Sequence, residues 1–177
     1  LRFALDDADQ GNGDGRLQVG ETVAFQLQVT NTGDGDADET IFILRNQSES
    51  AVFLTSGRES IEGLPRGESY RAAFEFSVQE STDSGEIRLD AEVYDTVFRE
   101  FLQEKLTFEL VEPAEVQRRS GVLELTEAAS VLGGSFDAAP AVARVEAGEA
   151  IAFDRYVDGW YHVTWDSGQG WVREAVV

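Results

Sequence analysis

"ETVAFQLQVTNTGDG", residues 21–35, alternates apolar and polar side chains and then stops on a turn. Val23, Phe25, Leu27 and Val29 fall on one face, with Thr22, Ala24, Gln26 and Gln28 on the other. A period of two with one apolar face marks a strand covered on one side. The same period returns at Tyr70, Ala72, Phe74, Phe76 and Val78, and at Ile87, Leu89, Ala91 and Val93. "TIFILRN" (40–46) and "AVFLTSG" (51–57) are shorter apolar runs. Between them stand "NTGDGDAD" (31–38), "GLPRGES" (63–69) and "STDSGE" (81–86), rich in residues that make turns. Strands at this spacing, with no long helical stripe, predict an antiparallel β-sandwich over residues 1–112.

Downstream, "DTVFREFLQEKLTFELVE" (95–112) opens with helical spacing at Val97, Phe101 and Lys105 and ends with strand spacing at Leu106, Phe108 and Leu110. It reads as a turn or short helix running into a closing strand. "EPAEVQRRSG" (112–121) is polar and carries a proline, which places a linker at 113–120. Beyond it lie the short β segments "VLELTE", "VARVEAGEAIAF", "GWYHVTW" and "GWVREAVV", which suit a small barrel of about five strands over 121–177. The fold class expected is therefore all-β, a sandwich followed by a small barrel.

The 177 residues contain 42% hydrophobic and 10% aromatic side chains, enough for packed cores. Net charge is −20, which repels phosphate backbones and anionic headgroups and attracts cations. Nucleic acid and membrane surface are poor partners for such a chain. The acidity sits mainly in the first domain, with nine basic against 24 acidic residues in 1–112 and five against ten beyond. Lys105 is the only lysine, and an acidic, lysine-poor surface also suits high salt. No cysteine is present, so any staple must be ionic or hydrogen-bonded. No apolar run approaches about 18 residues, so no membrane span is expected. The sequence reads as a piece of a longer chain.

"DDADQGNGDGRLQVGE" (6–21) is the stretch with the chemistry of a site. Calcium takes six to eight oxygens, and a short loop supplies them when ligands alternate with residues that let the backbone curl. Asn12 and Asp14 stand two apart between Gly13 and Gly15; the Arg16 carbonyl and the Glu21 carboxylate can close the shell, with Asp7 or Asp9 leading. Gln10 occupies the place of an EF-hand's first aspartate, so a true EF-hand is not expected. Four aspartates within residues 6–14 repel one another unless something neutralises them, which favours Ca2+ over a bare polar turn. A second acidic loop, with Asp34, Asp36 and Asp38, reads as a solvated hairpin turn.

"GNGDGRLQVGETVAFQLQVTNTGDGDA" (11–37) resembles the opening of the Ig-like, CARDB-like modules of large secreted bacterial proteins. The resemblance implies a structural calcium ion held by Asp7, Asn12, Asp14, the Arg16 carbonyl and Glu21. "ASVLGGSFDAAPAVARVEAGEAIAF" (129–153) and "DGWYHVTWDSGQGWVREAVV" (158–177) resemble a bacterial SH3-like (SH3b) domain, with Trp160-Tyr161 and Gly170-Trp171-Val172 at the matching positions. Leu132 and Gly134-Ser135 depart from the family pattern in the loop used for ligands. "DTVFREFLQEKLTFELVEP" before such a unit is loosely similar to accessory regions of tail-specific, carboxyl-terminal-processing proteases.

Tyr161, Trp165 and Phe136 are candidate groove residues for an extended peptide, while Trp160 and Trp171 are expected to be mostly core. His162, the only histidine, is read as a surface strand residue with no serine placed beside it, so no triad is expected. A carboxylate pair of a hydrolase is the alternative that composition leaves open. Asn46-Gln47-Ser48 is a sequon read as coincidental. These readings converge on a non-catalytic, extracytoplasmic fragment that spaces, docks or regulates a neighbouring, peptidase domain. Its partner would be protein or peptide, a neighbouring domain of the same chain first and peptidoglycan peptide second.

Overall fold

The computed structural model describes residues 1–97, 101–165 and 168–177. The chain is all-β and divides into two compact units, one of residues 17–111 with Leu1, the other of Arg2–Arg16 with Glu112–Val177.

The first unit is an antiparallel, Ig-like β-sandwich. One sheet carries β2 (Thr22–Thr30), β6 (Ser69–Val78) and β4 (Val52–Ser56) as neighbours in that order; the other runs β5 (Arg58–Leu64), β3 (Ala37–Asn46), β7 (Glu86–Asp95) and β8 (Phe101–Glu109). The alternation read from the sequence is the alternation of burial. Val23, Phe25 and Leu27 of β2, Ala72, Phe74, Phe76 and Val78 of β6, and Ile87, Leu89 and Ala91 of β7 are all buried. Phe25 meets Phe76 within its sheet and crosses to Phe108 of the other with a ring separation of 6.4 Å, edge to face. Leu17 bridges Leu110 in parallel and is buried with them.

Gly57 separates β4 from β5, so "AVFLTSGRES" begins in one sheet and ends in the other. The Asp34–Asp38 turn is exposed; Asp36 accepts the Arg66 backbone N–H, and Asp34 lies 3.5 Å from the Arg66 guanidinium. Of the turn or short helix expected after Asp95, residues 98–100 lie outside the described residues.

The second unit is a six-stranded antiparallel sheet ordered β11 (Ala141–Val145), β10 (Ala129–Leu132), β14 (Gly168–Arg173), β13 (Trp160–Trp165), β12 (Ala150–Val157) and β9 (Gln117–Glu124). Where the sequence predicted a small barrel of about five strands, six strands form an open order that ends on β11 and β9, with no closure among the described residues. The sheet still wraps one core, because Leu123, Val131, Val145, Ile151, Val163 and Val172, one from each strand, pack in a single cluster. Gln117–Ser120, read as linker, lie in β9, and residues 2–16, which include β1 (Arg2–Asp6), group with this unit.

The opposite face of this sheet is covered too. Val157, Trp160 and Trp171 form a second cluster with Ala114, Val116 and Leu132 against it. Alternation along β13 explains the division: Val163 faces the main core, while Trp160 and His162 face the other way.

Candidate functional site

The aspartate loop, residues 6–16, is built on that second face. β1 arrives beside the loop after β10, where the Leu5 N–H donates to the Gly133 carbonyl at 2.8 Å. A Cβ on Gly133 would overlap the Phe3 carbonyl, so only glycine admits the strand this closely. The loop then folds on its own carboxylates. Asp7, 2% exposed, accepts the backbone N–H groups of Gly13 and Asp14 on Oδ2 and of Gly15 on Oδ1, at 3.0–3.1 Å. Asn12 Oδ1 accepts from the Asp14 N–H, and Asp14 Oδ1 from the Arg16 N–H. These Asx turns set the tight curl that the sequence assigned to glycine alone.

Asp14 is fully buried and looks outward from the loop. Its Oδ2 accepts from the Asn12 amide and from the Ala114 N–H, both at 3.0 Å. Its carbonyl accepts the Ser135 hydroxyl at 2.6 Å, and the Gly15 carbonyl accepts the Ser135 N–H at 3.1 Å. Ser135, 1% exposed, thus reads two successive carbonyls, while Arg16 donates Nε to its Oγ and reaches Asp158 at 3.2 Å. Gly15 (φ +74°) lies flat on Trp171, where any Cβ would enter the indole.

His162 is 3% exposed, which corrects its reading as a surface residue. β12 carries a register shift between Phe153 and Arg155, and this bulge puts Asp154 and Arg155 both within reach of the ring. Asp154 Oδ1 lies 2.6 Å from Nδ1, and Arg155 Nη2 lies 2.9 Å from Nδ1 and 3.2 Å from Nε2. Arg155 also reaches the Gly13 carbonyl at 3.4 Å and lies over Trp171. An Asp–His pair is present, and each ring nitrogen lies within hydrogen-bond distance of Asp154 or Arg155.

The electrostatics follow from burial. Burial first and the Asp14 charge second push the Asp7 carboxyl up, against the N–H groups of Gly15 and Asp14. Burial and then Arg155 push the His162 imidazole down, against its hydrogen bond to Asp154. Burial works to raise Asp154, yet the His162 hydrogen bond and the His162 and Arg155 charges hold it below the usual carboxylate range.

The sign for His162 follows from linkage. A folded-state value below the unfolded one of about 6.5 means the unfolded chain takes the proton first as pH falls. Stability of this unit is therefore complete above about pH 6.5 and declines below it, down to the folded-state value. His162→Gln is expected to flatten the melting temperature between pH 7.5 and 5.5, read by tryptophan fluorescence. An unchanged slope in the variant would remove His162 as the cause.

Of the expected calcium ligands, Asp7, Asn12 and Asp14 come together, Asp9 is exposed, the Arg16 side chain turns to Ser135 and Asp158, and Glu21 belongs to the other unit. There Glu21 accepts the Gln18 N–H at 3.2 Å. In this arrangement the Asp7 and Asp14 oxygens accept N–H groups, and no group of three acidic or histidine side chains converges among the described residues.

The expected groove residues are dispersed. Trp165 packs toward the main core and Phe136 against Gly134. Tyr161 meets Phe153 and Tyr156, with Arg119 over the two tyrosine rings. Asn46 of the sequon donates its amide to the Glu49 and Val52 carbonyls. Sequence reasoning missed Ser135, Asp154 and Arg155. The one available signal was "WYHVTW", apolar on both faces and so a strand covered on both.

No protein-family model matches the chain, and no curated protein matches it. Among solved structures, one similar to it is the crystal structure of the CsuC–CsuE chaperone–tip adhesion subunit pre-assembly complex from archaic chaperone-usher Csu pili of Acinetobacter baumannii. The two are 13% identical, with 89% of this chain and 93% of that chain covered at a TM-score of 0.28. A likeness at that level carries nothing about function. No helix among the described residues is long and apolar enough to cross a membrane.

Proposed function

We propose that this chain is a non-catalytic structural and interaction fragment of a larger extracytoplasmic protein, an Ig-like sandwich followed by an SH3-like unit. In this reading it spaces, docks or regulates a neighbouring domain, a peptidase by the resemblance noted above. One observation carries it: the groups best suited to chemistry, Asp7, Asp14, His162 and Asp154, are committed to hydrogen bonds that hold the fold. What remains outward is acidic surface and the start of β8, where Phe101 is 60% and Leu102 45% exposed on the last strand of its sheet. A panel of protease and glycosidase substrates is expected to show no turnover. Turnover abolished by a single Asp or Glu substitution would establish the hydrolase instead. A parent gene whose reading frame opens close to Leu1 would remove the upstream peptidase.

A cell-wall peptide site is a second reading, favoured by Tyr156 and Tyr161 at 5.0 Å with Arg119 over them. Retention on purified peptidoglycan that Tyr161→Ala abolishes would support it.

Calcium is a further reading of the same structural role, favoured by the Asp14 charge that holds Asp7 up. It requires the carboxylates to exchange N–H partners for the ion. The arrangement described here predicts equal melting temperatures in chelator and in millimolar calcium at matched ionic strength. A rise of several degrees that Asp14→Ala abolishes would establish the ion, since at one hundred times Kd a ligand of the native state adds about 2.7 kcal/mol.

A further inference from the structure

We propose that residues 112–177 form an acceptor surface and that residues 2–16 are its ligand, an acidic, glycine-bearing segment presented in cis. This goes beyond the function above and holds whatever the parent protein is. The two parts are separated in sequence by the 95 residues 17–111, yet they make one compact unit. Contacts between them have the grammar of peptide recognition. Backbone groups of the segment are read without regard to side chain: Gly133 takes the Leu5 N–H, Ser135 donates to the Asp14 and Gly15 carbonyls, and Arg155 donates to the Gly13 carbonyl. Side chains add specificity, since Ala114 N–H donates to the Asp14 carboxylate and Gln169 to Asp6. Trp171 admits only glycine at position 15.

Preorganisation and charge point the same way. Asp7 gathers the N–H groups of Gly13, Asp14 and Gly15, and its carbonyl accepts from Gly11 at 2.8 Å, so the segment carries its bent shape within itself. A ligand already shaped for its site loses less conformational freedom on binding. Within the contact, the Arg155 guanidinium donates to the Gly13 carbonyl of this acidic segment, a charge-assisted hydrogen bond. Attachment in cis keeps it at high effective concentration, so the contact need not be strong to be filled.

The test inserts a site-specific protease sequence between Arg16 and Leu17 of the full chain and cuts the folded protein. The freed segment is followed by native mass spectrometry, and exchange by a fluorescent synthetic peptide of residues 1–16. The segment is expected to remain bound after cleavage and to exchange with the wild-type peptide. Peptides carrying Asp14→Ala or Gly15→Ala should bind about tenfold more weakly or worse, and Ser135→Ala in the cut host should weaken the wild-type peptide. Departure of the segment at micromolar protein, with amide protection of β10, β13 and β14 retained, overturns the proposal. Loss of that protection on cutting overturns it as well, because no preformed acceptor would then exist. Equal binding by the variants would show that the recognition lies elsewhere.

Discussion

Alanine at Asp7 is expected to unfold the C-terminal unit under conditions where the sandwich survives. The substitution leaves the N–H groups of Gly13, Asp14 and Gly15 without their acceptor in a loop that water reaches poorly. Each orphaned buried donor costs about 1–3 kcal/mol, and partial rehydration leaves a net loss of about 3 kcal/mol or more. Relief of the repulsion from Asp14 works in the opposite direction. One repulsion of this kind offsets only part of the loss of an acceptor shared by three N–H groups. Asp7→Asn keeps one acceptor oxygen and removes the charge, so it should fall between wild type and alanine. All three tryptophans, Trp160, Trp165 and Trp171, belong to this unit, so their fluorescence in a urea titration reports it selectively. A midpoint for Asp7→Ala equal to wild type would mean that the loop contributes nothing to the unit's stability.

Phe25→Ala is expected to have a comparable effect on the other unit. Phe25 is completely buried and touches Phe76 in its own sheet and Phe108 in the facing one. Truncating a core phenylalanine costs about 3–5 kcal/mol, the lost transfer energy plus a cavity that a two-sheet core closes poorly. The loss should appear in the far-UV transition, to which the sandwich contributes most of the strand residues described, and a change below about 1 kcal/mol would contradict the packing described. A conservative Phe25→Leu exchange should recover most of it.

The sandwich was legible because its strands are covered on one face. Val23, Phe25 and Leu27 alternate with polar neighbours, so period alone placed β2, β6 and β7. The aspartate loop was legible as a special turn, and Asp7, Asn12 and Asp14 do assemble there. Its place in the molecule was not. Local spacing describes how a loop curls, whereas the unit it joins depends on groups more than 100 residues away, such as Ser135 and Trp171. The same distance hid the burial of His162, because a strand histidine looks solvated until something covers that face. The bulge at Asp154 leaves no period in "AIAFDRYV" from which the aim of Asp154 and Arg155 could be read.

A divided unit has a timetable. A ribosome adds about 5–20 residues per second, so the chain from Arg16 to Glu112 takes roughly 5–20 seconds to appear, and β9 to β14 emerge later still. During that interval strands β2 to β8 have emerged, while residues 112–177, with which residues 2–16 form one unit, have not. The acidic turn beside β1 keeps that segment charged until β14 emerges and Trp171 can meet Gly15.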